Sequence, residues 1–128
     1  MSLGLKRVLV AEDAFLVAMD LAAQLQDMGA EEVCCAHRLE SGIRLLKDNP
    51  NFDLAILDVN LADDLVFPLA DQLYATGVPV IFVTAQQRTD FPEPWRRRAA
   101  IVQKPISDPQ LLSAVQEAIS PAIAANSP

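Results

Sequence analysis

The segment Asp53-Leu54-Ala55-Ile56-Leu57-Asp58-Val59-Asn60 most constrains what this chain can become. Leu54 to Leu57 is an unbroken apolar run. A strand with one wet face alternates apolar and polar residues. A continuous run suits a strand covered on both faces, as in a parallel sheet layered with helices. The run stops at a carboxylate, Asp58, and packing gives no reason for an acid there. At the carboxyl edge of an open parallel sheet, by contrast, α/β proteins bind their ligands. What else the chain delivers to that edge then decides its chemistry.

Before this segment, Arg7-Val8-Leu9-Val10-Ala11 reads as a strand that runs straight into Glu12-Asp13. A helix is expected over about residues 14–28, with Leu16, Met19 and Ala23 facing in and Asp20, Gln24 and Asp27 facing out, stopped by Gly29. Residues 32–36 form a second strand. Leu39, Ile43 and Leu46 mark a second helix with Glu40, Arg44 and Lys47 outside, ended by Asn49-Pro50-Asn51. After Asp58, residues 60–64 read as a polar loop. A third helix follows, with Pro68 in its first turn, Leu69 and Leu73 inward, and Thr76-Gly77 closing it. Val80-Ile81-Phe82-Val83-Thr84 is a fourth strand. Pro92 and Pro94 make any helix in residues 86–100 short or late. Ile101-Val102-Gln103-Lys104 is a brief fifth strand ended by Pro105. Ser107 and Gln110, at capping-box spacing, start a last helix through Leu111, Leu112, Val115 and Ile119.

Five strand–helix alternations predict an α/β fold: a flavodoxin-like (βα)5 doubly wound parallel sheet. The expected strand order is 2-1-3-4-5, with a shortened or irregular fourth helix. A chain of 128 residues holds one core, so a single domain over residues 1–128 is expected, its core about residues 6–119 and its tail residues 120–128. The net charge of -7 argues against a general nucleic-acid binder, and no direct DNA binding is expected. No apolar run approaches the roughly 20 residues of a membrane span. With no signal-peptide pattern, a cytoplasmic location is expected. Cys34 and Cys35 point to opposite faces of a strand and read as ordinary buried or half-buried thiols, with no zinc spacing.

Glu12 and Asp13 follow the first strand, Asp58 ends the third, Thr84 the fourth and Lys104 the fifth. The topology brings all five to one edge. Three carboxylates without a histidine make a hard, oxygen-rich site suited to Mg²⁺, which would relieve their repulsion. A carboxylate, a divalent metal, a lysine and a hydroxyl suit phosphoryl transfer to the carboxylate, where positioning and charge neutralisation supply most of the catalysis.

These residues resemble the receiver domain of two-component response regulators. The resemblance rests on Glu12-Asp13, on Asp58 with Asn60 two residues on, on Thr84-Ala85 and on Lys104-Pro105, and it covers about residues 6–119. It implies that Asp58 accepts a phosphoryl group from a phosphohistidine on a sensor histidine kinase or histidine phosphotransfer protein. It implies Mg²⁺ held by Asp13, Asp58 and the Asn60 backbone carbonyl, with Glu12 acting directly or through water. Thr84, the Ala85 backbone N–H and Lys104 would bind the phosphoryl oxygens, and the Lys104-Pro105 bond would be cis. The chain would be a phosphorylation-controlled switch rather than an enzyme. It would be either a stand-alone receiver or a segment of a longer protein, acting on a downstream protein partner.

The chain departs from the family pattern in three places. Ile101 stands where receivers often carry an aromatic residue, the proline often found after the phosphoacceptor is missing from Val59-Asn60-Leu61-Ala62, and Phe91-Pro92-Glu93-Pro94 replaces part of the fourth helix. Ile101 offers no ring to swing. The expected output is therefore the ordering of a loop-like segment, residues 86–100, that presents Trp95 and Arg96 to Arg98. Trp95-Arg96-Arg97-Arg98 reads equally as a basic partner patch and as a solvated turn anchored by Trp95. Asp63 and Asp64 read as solvated loop acids, and His37 as a surface residue after the second strand with nothing paired to it for acid-base work. Two alternatives remain: a Mg²⁺-dependent phosphohydrolase with an aspartate nucleophile, and a receiver-like binding module that is never phosphorylated. Such hydrolases place the nucleophile after the first strand in a D-x-D pair; here Asp58 follows the third and Asn60 takes the second position.

Overall fold

The computed structural model describes residues 3–85 and 91–119. Expectations for residues 86–90 and for the tail, residues 120–128, lie outside the described residues. Five strands form one parallel sheet: β1 (Arg7–Ala11), β2 (Glu32–Ala36), β3 (Leu54–Asp58), β6 (Val80–Thr84) and β7 (Ala100–Gln103). Two short strands, β4 (Asn60–Leu61) and β5 (Asp64–Leu65), make a separate hairpin. The sheet order is β2-β1-β3-β6-β7, the expected 2-1-3-4-5 once the hairpin is set aside.

The apolar runs are explained by what covers them. Along β3, Ala55 and Leu57 face one core and Leu54 and Ile56 face the other. β1 and β6 alternate in the same way, so the interior residues of these central strands need apolar side chains on both faces. α1 (Phe15–Asp27) and α5 (Asp108–Ala118) cover one face. α2 (Leu39–Asp48), α3 (Phe67–Ala75) and α4 (Glu93–Arg98) cover the other. The capping box at Ser107 and Gln110 is formed as expected.

α1 corrects the expected phase. Ala18, Leu21 and Leu25 are buried, whereas Leu16 is 78% and Met19 53% exposed, and Ala23 is also at the surface. The stripe Leu16–Met19–Ala23 exists, but it faces solvent. The sequence from Ala14 to Ala23 is apolar around nearly the whole helix, so periodicity does not fix which side turns inward. The small Ala18 lets the helix sit close on the sheet, and Leu21 and Leu25 follow at helical spacing.

Two other segments are more ordered than expected. The polar loop is the β4–β5 hairpin: Asn60 pairs with Leu65 and Leu61 with Asp64, and Leu61 is fully buried. Ala62 takes φ 57° at the first turn position, a conformation closed to proline, so the missing family proline belongs to a different turn here. The fourth helix is short and late, as expected, but over its span, Glu93–Arg98, the face is helical rather than loop-like. Pro92 is the N-cap of α4 and Pro94 lies in its first turn, where backbone N–H groups have no helical partner to lose. Phe91 and Trp95 are buried and meet Phe82 edge-on, at 5.2 Å between centroids in each case. The fifth strand starts and ends one residue earlier than expected, so Lys104 stands just past it. Cys34 is half-buried and Cys35 exposed; burial raises both thiol pKa values, which keeps them protonated and poorly nucleophilic.

Trp95→Ala tests whether α4 is core. Removing a buried indole is expected to cost about 3–5 kcal/mol in urea unfolding, where a loose loop would lose little. A shift well under 1 kcal/mol, of order a surface substitution, would show that α4 is not packed as described.

Candidate functional site

Each strand end contributes one part. β1 runs into Glu12 and Asp13, β3 ends at Asp58, β6 ends at Thr84, and β7 hands over to Lys104. The strands are in register, with Asp58 beside Val83 and Thr84 beside Gln103, so the parts arrive side by side. The Lys104 N–H donates to the Thr84 carbonyl at 2.9 Å, which carries the sheet one step further toward the site. Lys104-Pro105 is cis, as expected.

Lys104 joins the acids. Its Nζ lies 2.7 Å from Glu12 Oε1 and 3.0 Å from Asp58 Oδ2. Glu12, Asp13 and Asp58 each place a carboxylate oxygen within 4.8 Å of the others. Backbone donors pin the acids further. The Ala14 N–H reaches Glu12 Oε2 at 3.2 Å, the Asn60 N–H reaches Asp58 Oδ1 at 3.3 Å, and the Ala62 N–H reaches Asp13 Oδ2 at 3.2 Å. Thr84 is fully buried at its strand end and Ala85 follows it at the surface. Asp63 and Asp64 are exposed, as expected of solvated acids.

The acids do not titrate alike. Glu12, 1% exposed, is pushed up to about 7, first by burial and then by the adjacent Asp58 carboxylate; Lys104 and the Ala14 N–H only partly offset this. Asp13, at the surface, is held below the usual carboxylate range, first by a hydrogen bond from Glu12, with burial opposing and the Ala62 N–H adding. Burial alone would lower the Lys104 ammonium, but its contacts with Glu12 and Asp58 outweigh that and raise it. This is a cluster with more acid than base, short of one cation.

Sequence reasoning gave His37 no acid-base partner, and its contact in the structure is with a backbone carbonyl. Its Nδ1 sits 2.9 Å from the Glu12 carbonyl, which can only accept, so that nitrogen carries the hydrogen. The ring also meets Phe15, 5.6 Å away between centroids. The signal was present in its place, directly after β2 and level with Glu12, whose N–H bonds Ala36. A second omission is the exposed apolar patch beside the acids: Phe15, Leu16, Val17 and Met19. The wrong helix phase hid it.

A model of the response regulator receiver domain matches residues 8–116. The chain belongs to that family. Transcriptional regulatory protein PdtaR of Mycobacterium tuberculosis is 31% identical to this receiver over 118 residues, 90% of this chain and 57% of that protein. Phyllosphere-induced regulator PhyR of Methylorubrum extorquens is 27% identical over 88% of this chain and 43% of that protein. The receiver thus spans about half the length of the curated relatives it matches. SdrG from Sphingomonas melonis Fr1 is 27% identical, with a TM-score of 0.75 over 88% of this chain and 94% of that one. Among the described residues, no helix is long and apolar enough to cross a membrane.

The raised Glu12 fixes a sign. Between its ordinary value of 4.5 and about 7, the folded receiver holds a proton that the unfolded chain has lost. That stabilisation is complete below the lower value and fades as pH rises through the upper one. The lowered Asp13 acts the other way, but only as pH falls below its ordinary 3.8. In EDTA, urea midpoints are expected to fall from pH 5 to pH 7, and Glu12→Gln to flatten the slope. A slope unchanged by that substitution would place the titrating group elsewhere.

Proposed function

We propose that this receiver is a phosphoacceptor switch of a two-component phosphorelay, with Asp58 as the acceptor. The observation that carries the reading is the Lys104 ammonium held 3.0 Å from Asp58 Oδ2 inside an acidic cluster. A carboxylate oxygen of Asp58 attacks the phosphorus of a phosphohistidine. The P–N bond breaks as the P–O bond forms, and its electron pair leaves on the imidazole nitrogen; with the other ring nitrogen of the phosphohistidine protonated, the leaving group is neutral imidazole. The carboxylate becomes an acyl phosphate. Lys104 follows the negative charge from the carboxylate to the phosphoryl oxygens, joined there by the Thr84 hydroxyl and the Ala85 N–H.

The donor set fits Mg²⁺: oxygen ligands only, gathered within 4.8 Å, with more negative charge than Lys104 neutralises. Asp13, Asp58 and the Asn60 carbonyl would hold the ion, with Glu12 beside them directly or through water. When bound it neutralises the acids and the incoming phosphoryl oxygens. The phosphodonor is a sensor histidine kinase or phosphotransfer protein, in the cytoplasm. Its histidine has to approach past α1, and the exposed Phe15, Leu16 and Met19 give it an apolar surface to rest on.

Labelling tests the reading. Asp58→Asn is expected to abolish the acid-labile label from acetyl phosphate while leaving the fold intact. Leu16→Glu is expected to slow labelling by a phosphorylated donor protein and leave acetyl phosphate labelling unchanged. Label surviving on Asp58→Asn at another residue, mapped by mass spectrometry, would remove Asp58 from the role. Rapid turnover without accumulated label would favour a hydrolase instead.

Magnesium supplies an independent check. An ion binding only the folded state stabilises it by RT ln(1 + [L]/Kd), about 2.7 kcal/mol at a hundredfold excess over Kd. The melting temperature is expected to rise with Mg²⁺ at low salt, and Asp13→Asn to remove most of the rise. Insensitivity of the native protein to Mg²⁺ would contradict the donor set.

A further inference from the structure

Helix α4 carries chemistry that the phosphoacceptor site does not use. Three consecutive arginines, Arg96 to Arg98, stand on a chain of net charge -7. The Arg97 side chain is 85% exposed, and its 3.9 Å approach to the exposed Glu93 is a weak surface pair that leaves the charge available. The Arg98 guanidinium lies 4.3 Å over the Tyr74 ring and 5.7 Å from the centre of Trp95. It is held on an aromatic platform rather than waving in solvent.

Next to this platform, α3 and α4 enclose an open groove of about 430 Å³ between Phe67 and Tyr74 on one side and Pro92 and Trp95 on the other. Asp71 also lines the groove, but the Trp95 Nε1–H donates to its carboxylate at 3.1 Å, so the acid is already engaged. The walls are stiff. Two prolines fix the backbone at the start of α4, and Trp95 is locked edge-on against Phe82. A groove with apolar walls, a cationic rim and little freedom loses little entropy on filling.

We propose that the α3–α4 groove docks an acidic segment of the downstream protein, with one aliphatic or aromatic side chain against Phe67, Pro92 and the touching Tyr74–Trp95 pair and carboxylates against Arg97 and Arg98. The charge distribution selects this occupant. Residues 91–98 carry three arginines and one glutamate, which with the groove's Asp71 still leaves one net positive charge here, while the chain as a whole carries -7. An acidic segment is repelled by most of the surface and attracted here, which fixes both site and orientation. A nucleic acid is a poorer fit, because its charge continues beyond the arginines across the acidic remainder. The inference deepens the switch reading by naming the chemistry of the output partner, and it rests on that reading for its role. The contact itself needs no phosphoryl group.

The test uses unphosphorylated ¹⁵N-labelled protein and a synthetic peptide of aspartates and glutamates around a central Leu-Phe pair. Shifts are expected at Tyr74, the Trp95 indole and Arg96 to Arg98, weakening as salt rises. Replacing the peptide's acids by Asn and Gln, or making Arg97→Glu with Arg98→Glu, is expected to weaken binding by about tenfold or more. Tyr74→Ala is expected to weaken it with the arginines intact, which a purely electrostatic patch would not show. Asp58→Asn protein is expected to bind as the native does, so a failed phosphorylation reading would not mimic failure here. No shifts at millimolar peptide, shifts centred on α1, or equal affinity for a single-stranded oligonucleotide of the same charge would each overturn the proposal.

Discussion

The contact on which the rest of the structure depends is the one between the Lys104 ammonium and the two carboxylates of Glu12 and Asp58. Both acids are buried at the ends of adjacent central strands. An unpaired buried charge is costly, and two like charges side by side are worse. One ammonium, reaching in from the next strand end but one, makes the arrangement tolerable without making it neutral. Burial first, and then the neighbouring Asp58 carboxylate, raise the Glu12 pKa, which Lys104 only partly offsets. The same imbalance favours a cation over a neutral or anionic ligand at this edge.

That contact constrains the fold around it. Lys104 reaches Asp58 only because β7 lies beside β6 and β6 beside β3, with the Lys104 N–H clamped to the Thr84 carbonyl. Glu12 reaches it only because β1 lies on the other side of β3. The strand order is thus the condition for the site, and the two cores on either side of the sheet hold that order. The apolar runs and the charges that end them are one design: interior up to the last residue, then chemistry.

Those parts were legible in the sequence for this reason. An apolar run bounded by an acid, a lysine or a threonine marks both strand and edge, and the alternation of strands with helices supplies the order. The four groups in close contact, Glu12, Asp13, Asp58 and Lys104, were all among those expected there. The phase of α1 was not legible, because a helix apolar on nearly all sides gives no vector; which stripe turns inward is decided by how closely Ala18 can approach the sheet. The β4–β5 hairpin was missed because its anchors, Leu61 and Val66, look like isolated apolar residues in a polar stretch until they are seen packed in the core. The structural tie of His37 to the Glu12 carbonyl was not legible either, because no side-chain pattern announces a backbone partner.

The packing of α4 also limits how a change at the site can travel. Ile101 has no ring to exchange between inside and outside, and it packs against the same core as Phe82, Phe91 and Trp95. Closely packed interiors do not deform continuously; they move between discrete arrangements. Melting residues 91–98 would expose two large buried aromatics, each holding about 1.5–3 kcal/mol or more of burial free energy. Under the proposed switch, output through this face would move α4, with Trp95 and the arginine platform, as a packed unit. A rigid element that changes its position by a small amount alters the width of the groove it shares with α3 more than it alters its own surface. The partner that reads such a switch would sense the gap between two helices rather than the order of a loop.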